Sequence, residues 1–374
     1  MDQNVSASDA VFRFADELGP IKIVHVHDPA TGLKAVVAID NVACGPAIGG
    51  VRMAVDVSTE EAFRLARAMT FKNAAAGLPH GGGKSVIFAD PKMNLAEKER
   101  IVRAFARAIR DLVEYIPGPD MGTDERCMAW VTDEIGRATG LPSEIGGIPL
   151  DEIGATGFGL AVAVEVGARH CGLALAGARV AVQGYGSVGR HAARFLAAKG
   201  CVLVAAADSA GTLYDPNGLD LDKLDAIKAA GQRLERYPAG QKLDRDAIVG
   251  IACDIWIPAA RPDVVRADNV ETIKARLIVQ GANIPITPEA ETRLHERGIL
   301  SIPDFIANAG GVICAATEFH GGTKSAAFAA INEKINANTE TVLAESRAHG
   351  LLPRAAAVRL AERRVRAAME LRRR

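Results

Sequence analysis

Between residues 178 and 208 the chain reads ARVAVQ, GYGSVG, RHAARFLAAKG and CVLVAAAD in succession. This run constrains the fold more than any other stretch. The first and last segments are apolar and partly β-branched, as buried strands are. The segment between them has helical composition, and Gly200 is placed to end that helix. Strand, tight turn, helix and parallel strand form a right-handed βαβ unit, which implies a doubly wound sheet. Ile251 to Pro258 and Leu277 to Ala282 read as later strands of the same sheet.

The glycine turn has a chemistry of its own. Gly184 permits the tight turn, Gly186 lets the backbone approach a pyrophosphate, and Gly189 allows close packing of helix on strand. Ser187 and Val188 open the helix, whose unpaired N–H groups and positive dipole end suit phosphates. Asp208 ends the second strand about twenty residues on, the distance at which a carboxylate meets the ribose hydroxyls. Such a carboxylate repels a 2′-phosphate, so the expected cofactor is NAD.

Upstream the pattern is mixed α/β. Ile21 to Asp40 alternates around Asp28-Pro29-Ala30-Thr31-Gly32 and predicts a hairpin, with another strand near Val51. Ser58-Thr59-Glu60-Glu61 fits a capping box for a helix. Ser85 to Ala89 suits a buried strand, and Asn94 caps a second helix with a buried stripe at Ile101, Phe105, Ile109 and Leu112. With 374 residues the chain is long enough for two domains. At 49% hydrophobic and 24% charged it has the material for packed cores.

A formal net charge of -1 gives no general pull toward nucleic acid or anionic membranes, and the C-terminal arginines read as a solvated helix face. No apolar run is long enough to span a bilayer. The N-terminal stretch MDQNVSASDAVFRFADELG has early acids and no apolar core, unlike a signal peptide. Six cysteines lie scattered, without C-x-x-C pairs or metal-ligand spacing, and no metal site is expected. A cytoplasmic setting follows.

Three residues upstream of the glycine turn can share one reaction: Lys72 in MTFKNAAAGLP, Lys84 in HGGGKSVI and Asp120 in PGPDMGT. Each has an ordinary structural reading. A lysine near a helix end interacts with the dipole, a lysine after glycines sits in a loop, and an aspartate caps the next helix, although Thr123 is better placed to do so. Oxidising an amino acid to an imine, however, needs a cation for the carboxylate, a base for water or amine, and a proton shuttle. Burial beside glycines lowers a lysine pKa toward that use.

The chain resembles the Glu/Leu/Phe/Val dehydrogenase family over nearly its whole length. The matching segments are GPAIGGVRM (45–53), MTFKNAAAGLPHGGGK (69–84), PGPDMGT (117–123), ATGFG (155–159), QGYGSVG (183–189), IPAA (257–260), QGAN (280–283) and PDFIANAGG (303–311). The resemblance implies an α/β protein of two domains. Residues 1–150 form a mixed α/β domain for substrate and oligomerisation, and residues 151–335 a Rossmann-type domain for NAD. Helices over 336–374 pack back toward the first domain, and a cleft closes over the substrate.

The same resemblance assigns roles. Lys72 holds the substrate α-carboxylate, helped by Gly49, Gly50 and Asn283; Lys84 activates water and Asp120 passes protons. Thr156 and Asn308 contact the nicotinamide half of the cofactor, with Ala259 and Ala260 near its ribose. It also implies a homo-oligomer.

In the glutamate-specific branch a lysine precedes the GG of the first motif and a hydroxyl follows the NAGG motif. Here those positions are Ile48 and Ala315. A γ-carboxylate buried there unpaired costs about 2–7 kcal/mol or more. With Gly118, Val312 and Ala315 as the remaining pocket positions, the expected substrates are apolar L-amino acids. Branched-chain side chains lead and phenylalanine rivals them, because Gly118 and Ala315 are smaller than the alanine and valine of leucine-specific relatives. The products are the 2-oxo acid and ammonia.

Two other classes stay open. A 2-hydroxy acid dehydrogenase, or another NAD-dependent oxidoreductase, shares the glycine turn. The first ordinarily uses a His–carboxylate pair, which His80, His191 and His320 lack in the sequence. A non-catalytic metabolite sensor on this fold would have lost Lys84 or Asp120.

Overall fold

The computed structural model describes residues 12–372. The N-terminal reading above therefore lies partly, at residues 1–11, outside the described residues. The chain divides into two compact units. The first takes the described residues through Pro149, then Ala315–Thr323, then the chain from Ala361 onward. The second takes Leu150–Cys314 and Lys324–Leu360. Residues 336–360, expected among the helices returning to the first domain, cluster instead with the second unit. The reason is packing: helix Lys324–His349 lies against helix Ala155–Cys171, where Ile335 fills the space above Gly159.

The first unit is built on a five-stranded sheet. Its strands are β1 (Lys22–Asp28), β2 (Leu33–Asn41), β3 (Ala47–Ala54), β4 (Gly81–Phe88) and β5 (Tyr115–Pro119), in the order β1-β2-β4-β3-β5. The predicted hairpin is β1–β2, closed at Asp28–Leu33. β2 runs antiparallel to β4, while β3 is parallel to both β4 and β5. Alternation along the strands separates two faces. Odd-numbered positions of β3, such as Ala47, Val51 and Met53, join Phe105, Ile109 and Met128 in one core under helices Leu95–Ala108 and Glu125–Ile135. Val86 of β4 faces the other way, onto Ala62 and Ala66 of helix Thr59–Ala75.

Local signals explain the helix starts. Ser58 accepts a hydrogen bond from Glu61 N at 3.1 Å, and Asn94 does the same for Glu97 N at 2.9 Å. The helix after PGPDMGT is capped by Asp124, not by Asp120 or Thr123. The predicted strand at Ser85 starts four residues earlier, because Gly81-Gly82-Gly83 are strand rather than loop.

The second unit carries a seven-stranded sheet: β6 (Arg179–Gln183), β7 (Val202–Ala207), β8 (Thr212–Tyr214), β9 (Gln241–Leu243), β10 (Ile255–Pro258), β11 (Leu277–Val279) and β12 (Leu300–Ile302). The order is β12-β11-β10-β6-β7-β8-β9. β12 through β7 are parallel, as the βαβ reading requires. β8 and β9 add an antiparallel edge, since the short link from β7 to β8 leaves no room for a crossover. Cys127, Cys201, Cys253 and Cys314 are buried and all six cysteines are free thiols. Among the described residues no helix is long and apolar enough to cross a membrane.

Candidate active site

One face of the first sheet gathers the predicted chemistry. Lys84 lies on β4 with the parity of Gly82, while Ile48 and Gly50 lie on β3 with Gly82 and Gly118 as register partners. By strand alternation these positions share the face that helix Thr59–Ala75 covers, with Lys72 in that helix's last turn. The helix packs so closely that a Cβ on Gly82 would stand 2.0 Å from Thr70 N. A Cβ on Gly50 would meet Asp120 Cβ at 2.7 Å and Lys84 Nζ at 3.1 Å. Glycine at position 50 therefore leaves the space that the two catalytic candidates occupy.

Lys84 is 6% exposed, and its Nζ is in direct contact with the Asp120 carboxylate. Burial pushes the Lys84 ammonium below the ordinary lysine range, while Asp120 pulls it back up. Burial opposes charge on Asp120 as well, yet Lys84 and Arg52 hold its carboxyl below the usual value. Arg52 Nε stands 3.5 Å from Asp120 Oδ2 and its NH1 donates to Glu61 at 2.5 Å. Thr123 does not cap a helix. Its hydroxyl accepts from Asp120 N at 3.0 Å and donates to Val51 O at 2.7 Å, which fixes Asp120 at the end of β5.

The sequence reading missed several supporting groups. Arg52 lies inside GGVRM, and its alternation with Gly50 was the signal that could have found it. Tyr115 donates to Gly49 O at 2.9 Å and accepts from Ser85, bracing the glycine strand from the opposite face. Asn73, next to Lys72, donates to Gly81 O at 2.7 Å. Thr139 is 1% exposed, and its Oγ1 stands 2.8 Å from where a Cβ on Gly118 would be. Gly118 thus does not widen the pocket as its small size implied; Thr139 takes up the room. Ile48 is 3% exposed and Ala315 7%, and neither brings a polar side-chain atom. Buried His80 donates through Nδ1 to Pro46 O and pairs through Nε2 with His320 Nε2, each at 3.0 Å, a satisfied structural residue.

The second unit collects the remaining predicted residues. Gly184 has φ +96, and a Cβ there would strike Ala260 at 2.6 Å. A Cβ on Gly189 would meet Gly184 O at 2.0 Å, so the helix sits directly on the turn. Gly186, in contrast, faces open space and caps helix Ser187–Ala197 without any side-chain hydrogen bond. Its first N–H groups, at Ser187, Val188 and Gly189, are left for an anion. The Ser187 hydroxyl donates to Asp151 O at 3.1 Å.

Asn308 Nδ2 donates to Asn283 Oδ1 at 3.2 Å, while its own buried Oδ1 has no partner among the described residues. Thr156 approaches Gly311 in the same region, one residue before Val312. Ala259 and Ala260 are tied to Gln183 through their N–H groups. An open glycine cradle and an orphaned buried amide oxygen fit a nicotinamide dinucleotide. Asp208 is more committed than expected. Its carboxylate accepts from Ala210 N at 2.9 Å, Leu234 N at 3.0 Å and Lys228 Nζ at 3.3 Å. Among the described residues no group of three or more potential metal ligands forms.

The two units are those of an α/β dehydrogenase, one carrying a buried lysine in contact with a half-buried carboxylate and the other a dinucleotide turn. Residues 146–373 match the Glutamate/Leucine/Phenylalanine/Valine dehydrogenase model, and residues 20–137 match the Glu/Leu/Phe/Val dehydrogenase, dimerisation domain model. The chain belongs to this family and is an amino acid oxidoreductase acting on CH–NH2 donors. It is 40% identical over 322 residues to a glutamate dehydrogenase of Aeropyrum pernix, covering 81% of this chain and 77% of that one. The fold is similar to that of a hetero-hexameric glutamate dehydrogenase of Thermus thermophilus (TM-score 0.85, 31% identity, 94% and 90% coverage). It is also similar to an L-tryptophan dehydrogenase of Nostoc punctiforme (TM-score 0.75, 26% identity, 96% and 99% coverage). Named relatives include both NAD-specific and NADP-specific glutamate dehydrogenases.

Proposed function

We propose that this protein oxidatively deaminates apolar L-amino acids with NAD, branched-chain ones first and phenylalanine next, and runs the reverse reductive amination. The observation that carries the reading is the sheet face on which buried Lys84 contacts half-buried Asp120 beside an apolar Ile48. Lys72 at the helix end supplies a cation for the substrate carboxylate, with Gly49 and Gly50 leaving it backbone to lie against. Lys84, whose pKa burial lowers, takes the proton from water when it is neutral, and Asp120 returns protons to the amino group. A bound nicotinamide cofactor would supply the acceptor for the Cα hydride. Gly184, Gly186 and Gly189 with Ser187 and Val188 would cradle its pyrophosphate, and Asn308, Thr156, Asn283, Ala259 and Ala260 would hold the nicotinamide half.

The names of many relatives favour glutamate. Ile48 argues against it: its buried aliphatic side chain gives a γ-carboxylate no partner. For the cofactor, the Asp208 carboxylate supports NAD, while Lys228 beside it tempers the preference. We propose further that the protein is a cytoplasmic homo-oligomer, in keeping with its free thiols and its match to a dimerisation-domain model. Light scattering reads the assembly directly. The deciding experiment for function is kcat/KM for leucine, valine, phenylalanine, alanine and glutamate with each cofactor. Glutamate at the top overturns the substrate reading alone. Absence of turnover with every amino acid and both cofactors overturns the catalytic reading.

A further inference from the structure

A second concave site lies at the far end of the parallel strands from the glycine turn. The turn follows the C-terminal end of β6, whereas this cleft borders the N-terminal ends of β11 and β12. It measures about 890 Å³, within the range of small-molecule sites. Lys274, Arg276, Arg297, Arg347, His170 and His295 line it, and no carboxylate does. Of the lining residues, two acids from outside offset His170 and Arg297 alone. Glu340 pairs with His170 at 2.7 Å and with Arg169, and Glu271 pairs with Arg293 and, at 3.6 Å, with Arg297. Lys274, Arg276 and Arg347 make no ion pair among the described residues.

Part of this charge has a structural use. Arg276 donates to Cys171 O at 2.6 Å, and Arg297 to Val270 O and Ile273 O, so both satisfy carbonyls near helix ends. Three helices end here, each contributing about half a negative charge. That falls short of the three cations, Lys274, Arg276 and Arg347, that make no ion pair among the described residues. Lys274 is exposed, caps no helix and makes no hydrogen bond among the described residues, so no group of the described chain uses its charge. Arg276 and Arg347 each commit one N–H, the latter to His170 Nδ1 at 3.2 Å, and keep further donors for an oxyanion.

We propose that this cleft binds a small molecule bearing at least one phosphate group. The three cations without an ion pair, partly offset by the helix ends, match the charge of a phosphate group, and the volume leaves room for a larger body. The proposal stands apart from the catalytic reading.

The test is saturation binding of inorganic pyrophosphate to the full chain, compared with a Lys274→Glu/Arg347→Glu variant and with Lys274→Gln alone. Because pyrophosphate can also enter the glycine cradle, the difference between proteins is the readout. The expected result is a loss of affinity of roughly tenfold or more in the double variant and a smaller loss in Lys274→Gln, with thermal melting unchanged. The single variant keeps the test decisive if the double one fails to fold. Equal affinity in wild type and Lys274→Gln overturns the proposal, as does the absence of saturable binding by wild type. A single-stranded oligonucleotide that binds through these residues when pyrophosphate does not would also overturn it.

Discussion

Thr139 Oγ1 lies 2.8 Å from the point where a Cβ on Gly118 would stand, so a buried hydroxyl fills the room that the glycine leaves on the site face of β5. Thr139 is itself held, its N–H donating to Pro117 O at 2.8 Å, and the loop after it is clamped by Glu318. Glu318 accepts from Leu141 N at 3.1 Å and Ile148 N at 2.6 Å.

Gly118→Ala should therefore act by pushing Thr139 rather than by narrowing an open pocket. Overpacking of this kind costs about 1–3 kcal/mol. The expected outcome is a loss of kcat/KM for valine and phenylalanine alike, relieved when Thr139→Ala is added. A loss confined to phenylalanine would show that Gly118 borders empty space.

Lys84→Ala should reduce deamination by about 10²–10⁴-fold while cofactor affinity, measured by NADH fluorescence, stays near wild type. Turnover within threefold of wild type would remove Lys84 from the chemistry.

The pH profile carries a sign. Lys84 acts as a base only when neutral, so kcat/KM should rise with pH through its pKa, which burial places below that of an ordinary lysine. Asp120 raises that pKa, so in Asp120→Asn the rising limb of the residual activity should move to lower pH. A limb that stays in place or moves to higher pH would refute the coupling of the two.

Asp208→Ser should narrow the preference for NAD over NADP, expected at about tenfold or 1.4 kcal/mol in kcat/KM. Lys228→Ala should widen it, because Lys228 stands 3.3 Å from the Asp208 carboxylate and offsets its charge. Opposite shifts in the two variants would reverse the assignment of these residues.

Ile48→Lys combined with Ala315→Ser should raise glutamate activity and depress leucine activity, by supplying one substrate with a partner and giving the other a desolvated charge. Each methylene contributes about 0.8 kcal/mol, so leucine should outperform alanine by more than tenfold in the wild type. Parity between leucine and alanine would show a pocket that the side chain does not fill.

The sequence made the second unit readable because its signals are local. The order of strand, glycine turn, helix and strand around Gly184 needs no tertiary information, and Lys84 and Asp120 sit in motifs long enough to mark themselves. What escaped was set by neighbours distant in the chain. Thr139 meets Gly118 only through the loop that returns after helix Glu125–Ile135, and Arg52 meets Asp120 only across β3 and β5. The predicted strand begins only at Ser85 because glycine is poor in strands; here β3 pairs with β4 from Gly81 and β2 from Gly82 on the other side, and the two override that preference. The commitment of Asp208 to Leu234 N depends on a turn that no pattern near Asp208 announces.

The glycines of the first unit have a bearing on how relatives of this chain are read. A Cβ on Gly49 would come within 1.6 Å of Gly83 O, and one on Gly82 within 2.0 Å of Thr70 N. Both are excluded by backbone, not by any ligand, so the sheet could not close around a larger residue. A descendant that lost its enzyme activity and survived as a binding protein would still be under selection to keep Gly49 and Gly82. Those two glycines report that the fold persists. Only the identities at Lys84 and Asp120 report whether the chemistry does.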